Sequence, residues 1–510
     1  MSSPSEDSAS RVRFSTDSLV SGRRTMVFCK SCFICAIGVA SLALLIASIA
    51  LVLTQVFQDI VNNRVKQEIV LKNGTEAFET WEKPPPPVYM QFYFFHVVNP
   101  AEILAGEKPV VKQKGPYTYR EFRIKENVDF LDNNTKVSAS SKKSYVFVPE
   151  MSVSEGDDDF IRTVNVPAVT LMEKFKSNSV LANFISSYMK SINDGLFVTK
   201  TVKEFLWGYK DPLLSVVHKF LPTVEEYFGF FYKANATDDG TYMFLTGEND
   251  FRDFARIIEW QNKSSLTWWS SDSCNKINGT DGSSFHPLIN KSETIYIFSS
   301  DLCRSVYAIF EKEVSVNKIP AYRFIIPKEV FANASINPAN AGFCVPDGNC
   351  LGSGLLNVSK CKQDAPIIMS SPHFYQADEK FVNDIVGMNP NKEDHETSMD
   401  INPLTGILVR GAKQLQLNIF VEKIPSFSQT GNVRTLIFPL MYINESVVID
   451  ATSAEKVRSV VNQANVVMNI PFMIMALGII FGVIFIALVC KARTSEVTSD
   501  DQVPIIQSAA

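Results

Sequence analysis

Two uncharged apolar stretches near the chain ends constrain this sequence more than anything else in it. The first, Cys32–Phe57, reads CFICAIGVASLALLIASIALVLTQVF, and the second, Val466–Cys490, reads VVMNIPFMIMALGIIFGVIFIALVC. As a helix, each is long enough to cross a hydrocarbon layer of about 30 Å. The first exceeds the ~7–15-residue apolar core of a cleaved signal peptide and so reads as a retained anchor. Arg11, Arg13, Arg23, Arg24 and Lys30 precede the first stretch, and Lys491 and Arg493 follow the second. Positive charge is retained on the cytosolic side, which places both tails in the cytosol. The expected layout is a cytosolic tail 1–31, a transmembrane helix 32–57, a luminal domain 58–465, a second transmembrane helix 466–490 and a cytosolic tail 491–510.

The middle segment carries the chemistry of a non-cytosolic compartment. Asn-x-Ser/Thr acceptor sequences occur at Asn73, Asn133, Asn235, Asn262, Asn278, Asn290, Asn333, Asn357 and Asn444, and none lies in either tail. Such clustering is expected of a glycosylated luminal domain. Cys274, Cys303, Cys344, Cys350 and Cys361 fall in the same segment, where disulfides persist; their odd number leaves at least one unpaired or paired with another chain. Cys29, Cys32, Cys35 and Cys490 lie in or beside the spans. Two readings stand for them: palmitoylation sites, or small apolar residues in lipid.

No linker or repeat divides the middle segment. After the breaker Pro84–Pro87, residues 88–98 read as an aromatic-rich strand, and SYVFVP, TYMFLTG, TIYIFSS, AYRFIIP and TLIFPLMYI read likewise. In QLQLNIFVE, Leu415, Leu417 and Ile419 alternate with Gln416, Asn418 and Phe420, the pattern of a half-buried strand. Residues 169–193 differ. Leu181, Phe184, Ile185, Tyr188, Met189 and Ile192 recur at three- and four-residue spacing, one stripe of a helix. Thr201 and Glu204 have capping-box spacing, and Asp211-Pro212 marks a further helix start. A helical cluster over about 165–222 therefore interrupts a mostly β domain, giving an α+β fold. The stripe has two readings: packing onto the chain's own sheet, or an apolar face that docks a partner.

Catalytic signatures are missing. Ser353 lacks the preceding glycine of a nucleophile elbow, and His395-Glu396 has no second histidine at metalloprotease spacing. No phosphate-binding or dinucleotide fingerprint occurs, so neither an enzyme nor a cofactor is expected. The acidic run 155–159 reads as a solvated turn rather than a calcium loop. A net charge of −5 gives no basic footprint for nucleic acid. All five histidines, His96, His218, His286, His373 and His395, are luminal and titrate in the range separating neutral from acidic compartments.

The motifs NGTEAFETWEKPPPPVYMQFYFFHVVNP, KGPYTYRE, LFVTKTVKEFLWGYKD, INGTDGSSFHPLI, GFCVPDGNCLGSG, APIIMSSPHFYQAD and NPNKEDHETSMDINPLTG resemble those of the class B scavenger receptor family, most closely its lysosomal member. The resemblance covers the chain from about residue 26 onward. It implies an antiparallel β-barrel-like core with a lipid tunnel, for lipids such as cholesterol, and a partner-binding helical bundle at the apex. It implies that the bundle delivers lysosomal glucosylceramidase to lysosomes, with release governed by pH. By position it implies disulfides Cys303–Cys361 and Cys344–Cys350, with Cys274 free. The lysosomal member's long apical helix is expected to carry a histidine as pH sensor. Here FKSNSVLANF has none, Asn178 or Ser179 standing near that place, and His218 becomes the candidate sensor.

The C-terminal tail separates a lysosomal receptor from a cell-surface scavenger receptor for lipoprotein uptake. Asp501, three intervening residues, then Ile505-Ile506 after Pro504 fit an acidic dileucine signal. A clathrin adaptor would offer a basic patch for the carboxylate and two apolar pockets for the isoleucines. The expected location is the lysosome membrane, with passage through late endosomes and transiently the cell surface. Homo-oligomerisation stays open.

Overall fold

A computed structural model describes residues 17–500 apart from 154, 155 and 347; Asp501, Pro504, Ile505 and Ile506 lie outside the described residues, as do residues 1–16. The chain divides into two units, one built from the terminal helices and the other from residues 64–461.

In the first unit, helix Asp17–Thr54 contains the apolar span Ser31–Thr54, and helix Ala451–Asp500 contains a second apolar span. Both are long and apolar enough to cross a membrane, by length and composition. Their large side chains point outward, as Phe33, Leu53, Ile479 and Val483 do. Where the two helices meet, small residues permit close approach. The Ser41 hydroxyl donates to the Gly478 carbonyl at 2.8 Å, and a Cβ on Gly478 would lie 3.1 Å from Leu45.

The second unit is organised by a 13-stranded sheet in which every ladder is antiparallel. Its path runs Ile295–Ser299, Arg304–Val316, Ile319–Ile325, Ser398–Ile401, Leu408–Val421, Leu436–Val448, Val88–Val97, Val111–Leu131, Lys136–Phe147, Thr241–Leu245, Ile257–Trp260. The aromatic-rich strand Val88–Val97 sits in the middle, so Phe92, Phe94 and Phe95 are fully buried. The two ends of the path are joined by a short extended segment. The Ile257 N–H donates to the Gly279 carbonyl at 2.8 Å, while Thr280 exchanges backbone hydrogen bonds with Tyr296 and Phe298. This segment nearly closes the sheet into a barrel and hides both edges. Only glycine suits position 279: its φ is +93°, and a Cβ there would lie 2.1 Å from the Tyr296 carbonyl oxygen.

Two expectations are modified here. Gln416 and Asn418 do not face solvent; both are fully buried. The hairpin Leu355–Asn357/Ile367–Ser370 pairs beside strand Leu408–Val421, and in the turn that follows it the His373 N–H donates to Gln416 Oε1 at 2.6 Å. Gln416 Nε2 donates to Asn418 Oδ1 at 2.7 Å, and Asn418 Nδ2 donates to the Ile368 carbonyl at 3.0 Å, so the buried amides satisfy one another. Of the acidic run, Asp158 is exposed on a short turn, Gly156–Asp158, as expected, but Asp157 and Asp159 are half-buried and partnered. Tyr119 donates to Asp157 at 2.8 Å, and Asp159 accepts from Tyr117 at 2.6 Å and from Lys114 at 2.9 Å.

Candidate functional site

The helical cluster contains two helices where the hydrophobic stripe suggested one. Val166–Phe175 ends before Ser179–Ser191 begins, because the Asn178 side chain accepts from the Leu181 N–H at 3.2 Å and caps the second helix. Asn178, standing where a histidine was expected, is therefore a capping residue. The helix starts at Thr201 and Asp211 are built as their spacing suggests: Thr201 and Glu204 form a reciprocal capping box, and Asp211 accepts from the Leu214 N–H at 2.9 Å.

The stripe itself divides. Met189 is fully buried, and Ile185 and Tyr188 pack on the core with it; Ile192, which follows the helix, is half-buried. Leu181 and Phe184 are exposed, Phe184 at 60 %, and Val180 beside them at 77 %. On helix Pro212–Phe220 and just after it, Phe220 and Leu221 are exposed as well. Thus one flank of the stripe anchors the cluster and the other presents apolar side chains to solvent. His218, on the same helix, donates from Nδ1 to the Val224 carbonyl at 2.7 Å.

The barrel holds a partly open cavity of about 240 Å³ whose walls include Arg123, Lys143, Tyr242, Met399, Lys413 and Glu445, drawn from strands around the sheet. Strand Val111–Leu131 directs Glu121, Arg123 and Lys125 inward and leaves Phe122 and Ile124 exposed, the reverse of the usual apolar-inside pattern. Arg123 pairs with Glu121 at 2.7 Å and also with Glu445. Lys413 pairs with Asp301 and, at 3.3 Å, with Glu445. Lys125 reaches Asp281 at 3.2 Å and the Trp81 carbonyl at 3.1 Å. Burial would raise the Asp281 and Glu445 carboxyls, but the facing cations win and hold both down at about 2. Two cavity-wall acceptors, Asp239 Oδ1 and Gln414 Oε1, are buried without a hydrogen-bond partner. This charged lining went unnoticed in the sequence, where the only signal is the alternation of Glu121, Arg123 and Lys125.

The histidines are spread over the fold. His373 and His395 stack at 4.6 Å between ring centroids. Each ring accepts a backbone N–H at Nδ1, and His373 Nε2 donates to Gln113 at 2.6 Å. Burial, helped by the neighbouring His395, pushes His373 down to about 4. Both rings are therefore built in as neutral groups.

Among the acceptor asparagines, Asn73, Asn133, Asn235, Asn262 and Asn290 are exposed. Asn278 is half-buried. Asn333, Asn357 and Asn444 are also half-buried, and their amide nitrogens donate to Leu351, Val345 and Gln91 respectively. The thiols are arranged compactly: Cys303 is bonded to Cys361, Cys344 to Cys350, and Cys274 is free and buried. No cluster of side chains able to hold a metal ion occurs among the described residues.

A nearly closed antiparallel barrel, a helical cluster with an exposed apolar flank and two apolar terminal helices together describe a membrane receptor rather than an enzyme. The chain belongs to the CD36 family, whose profile matches residues 39–489. It is 53 % identical to human (Homo sapiens) lysosome membrane protein 2 over 481 residues, covering 94 % of this chain and 100 % of that protein. The mouse (Mus musculus) lysosome membrane protein 2 is 52 % identical over the same shares. Pig (Sus scrofa) scavenger receptor class B member 1 is 33 % identical, covering 89 % of this chain and 88 % of that protein.

Proposed function

We propose that this protein is a lysosomal membrane receptor that binds lysosomal glucosylceramidase on its helical cluster and delivers it to lysosomes, while its luminal barrel takes up lipids such as cholesterol. Both tails lie in the cytosol in this reading, and the luminal domain carries the glycans. The observation that carries it is the exposed apolar flank of Val180, Leu181 and Phe184. Isolated apolar side chains on a surface are ordinary, but a contiguous group on one helix is what a docking partner covers. Similarity to lysosome membrane protein 2 over nearly the whole chain supports the lysosomal assignment. The mixed apolar and charged cavity supports lipid uptake, since a lipid brings both kinds of surface.

Capture of glucosylceramidase by the full-length protein in detergent, at pH 7 and pH 5, tests the reading. Phe184→Asp is expected to weaken capture by about 10- to 100-fold, the size of an interfacial hot spot, with no change in the thermal midpoint. Capture of lipoprotein and no hydrolase would favour the alternative, a cell-surface scavenger receptor, which the relatedness to scavenger receptor class B member 1 supports.

The address of the receptor is the tail motif Asp501, Pro504, Ile505 and Ile506. Replacing Ile505 and Ile506 by alanine is expected to remove clathrin-adaptor docking and strand the protein at the cell surface. Surface biotinylation reads the outcome, and unaltered arrival in lysosomes would refute the tail signal while leaving the receptor reading intact.

A further inference from the structure

We propose that Arg304 holds a small monovalent anion, of the size of chloride, in a pocket beside the Cys344–Cys350 disulfide. Arg304 opens strand Arg304–Val316, next to the disulfide-bonded Cys303, and is only 5 % exposed. Its Nε donates to the Ser305 carbonyl at 3.2 Å and its Nη1 to the Val330 carbonyl at 3.3 Å. The guanidinium lies 3.5 Å from the ring centroid of Phe343 and 5.5 Å from that of Phe331. Carbonyls and ring faces ease the burial of a cation, but none of them carries a full negative charge.

Two other arginines of the same unit show what is missing. Arg123 pairs with Glu121 and Glu445, and Arg323 grips Asp400 through two bonds, at 2.7 and 2.8 Å. Against the pull of burial, Glu121 and Glu445 raise the Arg123 guanidinium, and the hydrogen bonds to Asp400 raise that of Arg323. Arg304 is the reverse case. No carboxylate among the described residues pairs with it, and burial brings it down to about 10. Of the acids in neighbouring turns, Glu329 and Asp378 are exposed, and Asp378 accepts from the Ser353 N–H at 2.9 Å. A deeply buried cation without a counter-charge is costly, and a diffusible anion supplies the charge that the chain does not.

The pocket at Arg304 has a volume of about 30 Å³ and counts Phe331, Phe343, Leu355 and Leu356 among its walls. Asn349 and Cys350, also in the wall, are exposed and give access from solvent. Phe331 is shared with the wall of the barrel cavity, yet the two spaces differ in kind: the larger has acids facing its cations, and the smaller has a cation alone. So little room suits a monatomic ion and excludes a lipid headgroup. The other polar groups of the wall are already committed. Asn333 and Asn357 donate to the Leu351 and Val345 carbonyls, and Asn340 donates to those of Glu329 and Ala332. The rest of the Arg304 fork is left to face an anion, and the apolar walls favour a weakly hydrated halide over a strongly hydrated ion. A halide there fastens the start of strand Arg304–Val316 to the turn Lys328–Phe331 and stabilises the fold by mass action.

Thermal unfolding of the full-length protein in detergent tests the site, with sodium gluconate exchanged for sodium chloride or sodium bromide at constant ionic strength. Both halides are expected to raise the midpoint saturably, by about 2–4 °C at a concentration ~100 times the dissociation constant. Arg304→Gln, which removes the charge, is expected to unfold at one midpoint in all three salts. In crystals of the unaltered protein soaked in bromide, the anomalous signal of the ion is expected within hydrogen-bonding reach of the Arg304 guanidinium. A midpoint indifferent to halide in the unaltered chain overturns the proposal, as does a halide response that Arg304→Gln retains. Should Arg304→Gln fail to fold, a bromide-soaked crystal with no ion at the guanidinium overturns it. None of these readings involves a hydrolase or a lipoprotein, so the anion site and the receptor reading fall separately.

Discussion

Removing the Cys303–Cys361 disulfide, with both cysteines changed to serine, is expected to cost about 4 kcal/mol of the stability of the unit 64–461. The expectation comes from chain entropy. The bond closes a loop with a sequence separation of 58, and a cross-link of that span removes much of the freedom of the opened chain. Cys344–Cys350, with a separation of 6, closes a far smaller loop, and its loss is expected to cost about 2 kcal/mol. The longer bond also ties the start of strand Arg304–Val316 to the short helix Ser359–Cys361, elements that the sheet does not pair directly. Guanidinium titration of the two double variants under non-reducing conditions gives both costs. Equal costs, or a smaller cost for the longer loop, would sink the entropic account.

Much of the fold was legible because local chemistry decides it. The strand at Val88–Val97, the capping box at Thr201 and the cap at Asp211 depend on residues a few positions apart, and the structure builds all three. The terminal helices were legible from length and apolarity alone. What escaped depends on distant partners. Nothing near Gln416 or Asn418 announces that the hairpin ending at Ser370 and the turn after it will supply their polar partners. Met189 and Phe184 look alike in the helical stripe, and only packing decides that one is anchored and the other presented. Asn178 was noticed for what it is not, and its capping role emerged only with the break between the two helices. The charged cavity was hardest to see, since an alternation of Glu121, Arg123 and Lys125 says that one face is charged but not that the face turns inward.

That inward face makes Glu445 the position where a single truncation should cost most. Glu445→Ala is expected to destabilise the barrel by about 3 kcal/mol, because it leaves Arg123 and Lys413 together in a partly open cavity. Arg123 retains Glu121 and Lys413 retains Asp301, but the two cations lose the carboxylate they share. Glu445→Gln keeps the shape and removes the charge, so it separates lost electrostatics from lost packing; a cost within 1 kcal/mol of zero for Gln would show that charge is not what matters there. The pH dependence has a definite sign. Arg123 and Lys413 depress Glu445 to about 2 against the opposing pull of burial, so its contribution is fully present above about 4.5 and is lost only as pH falls through about 2. Glu445 therefore stays ionised between pH 7 and pH 5. Over that range the barrel should hold its charge pattern. Denaturation of the Glu445→Ala chain at both pH values checks this: its cost relative to the unaltered protein should be the same at each, and a cost that shrinks by more than 1 kcal/mol at pH 5 would show that the network is already titrating.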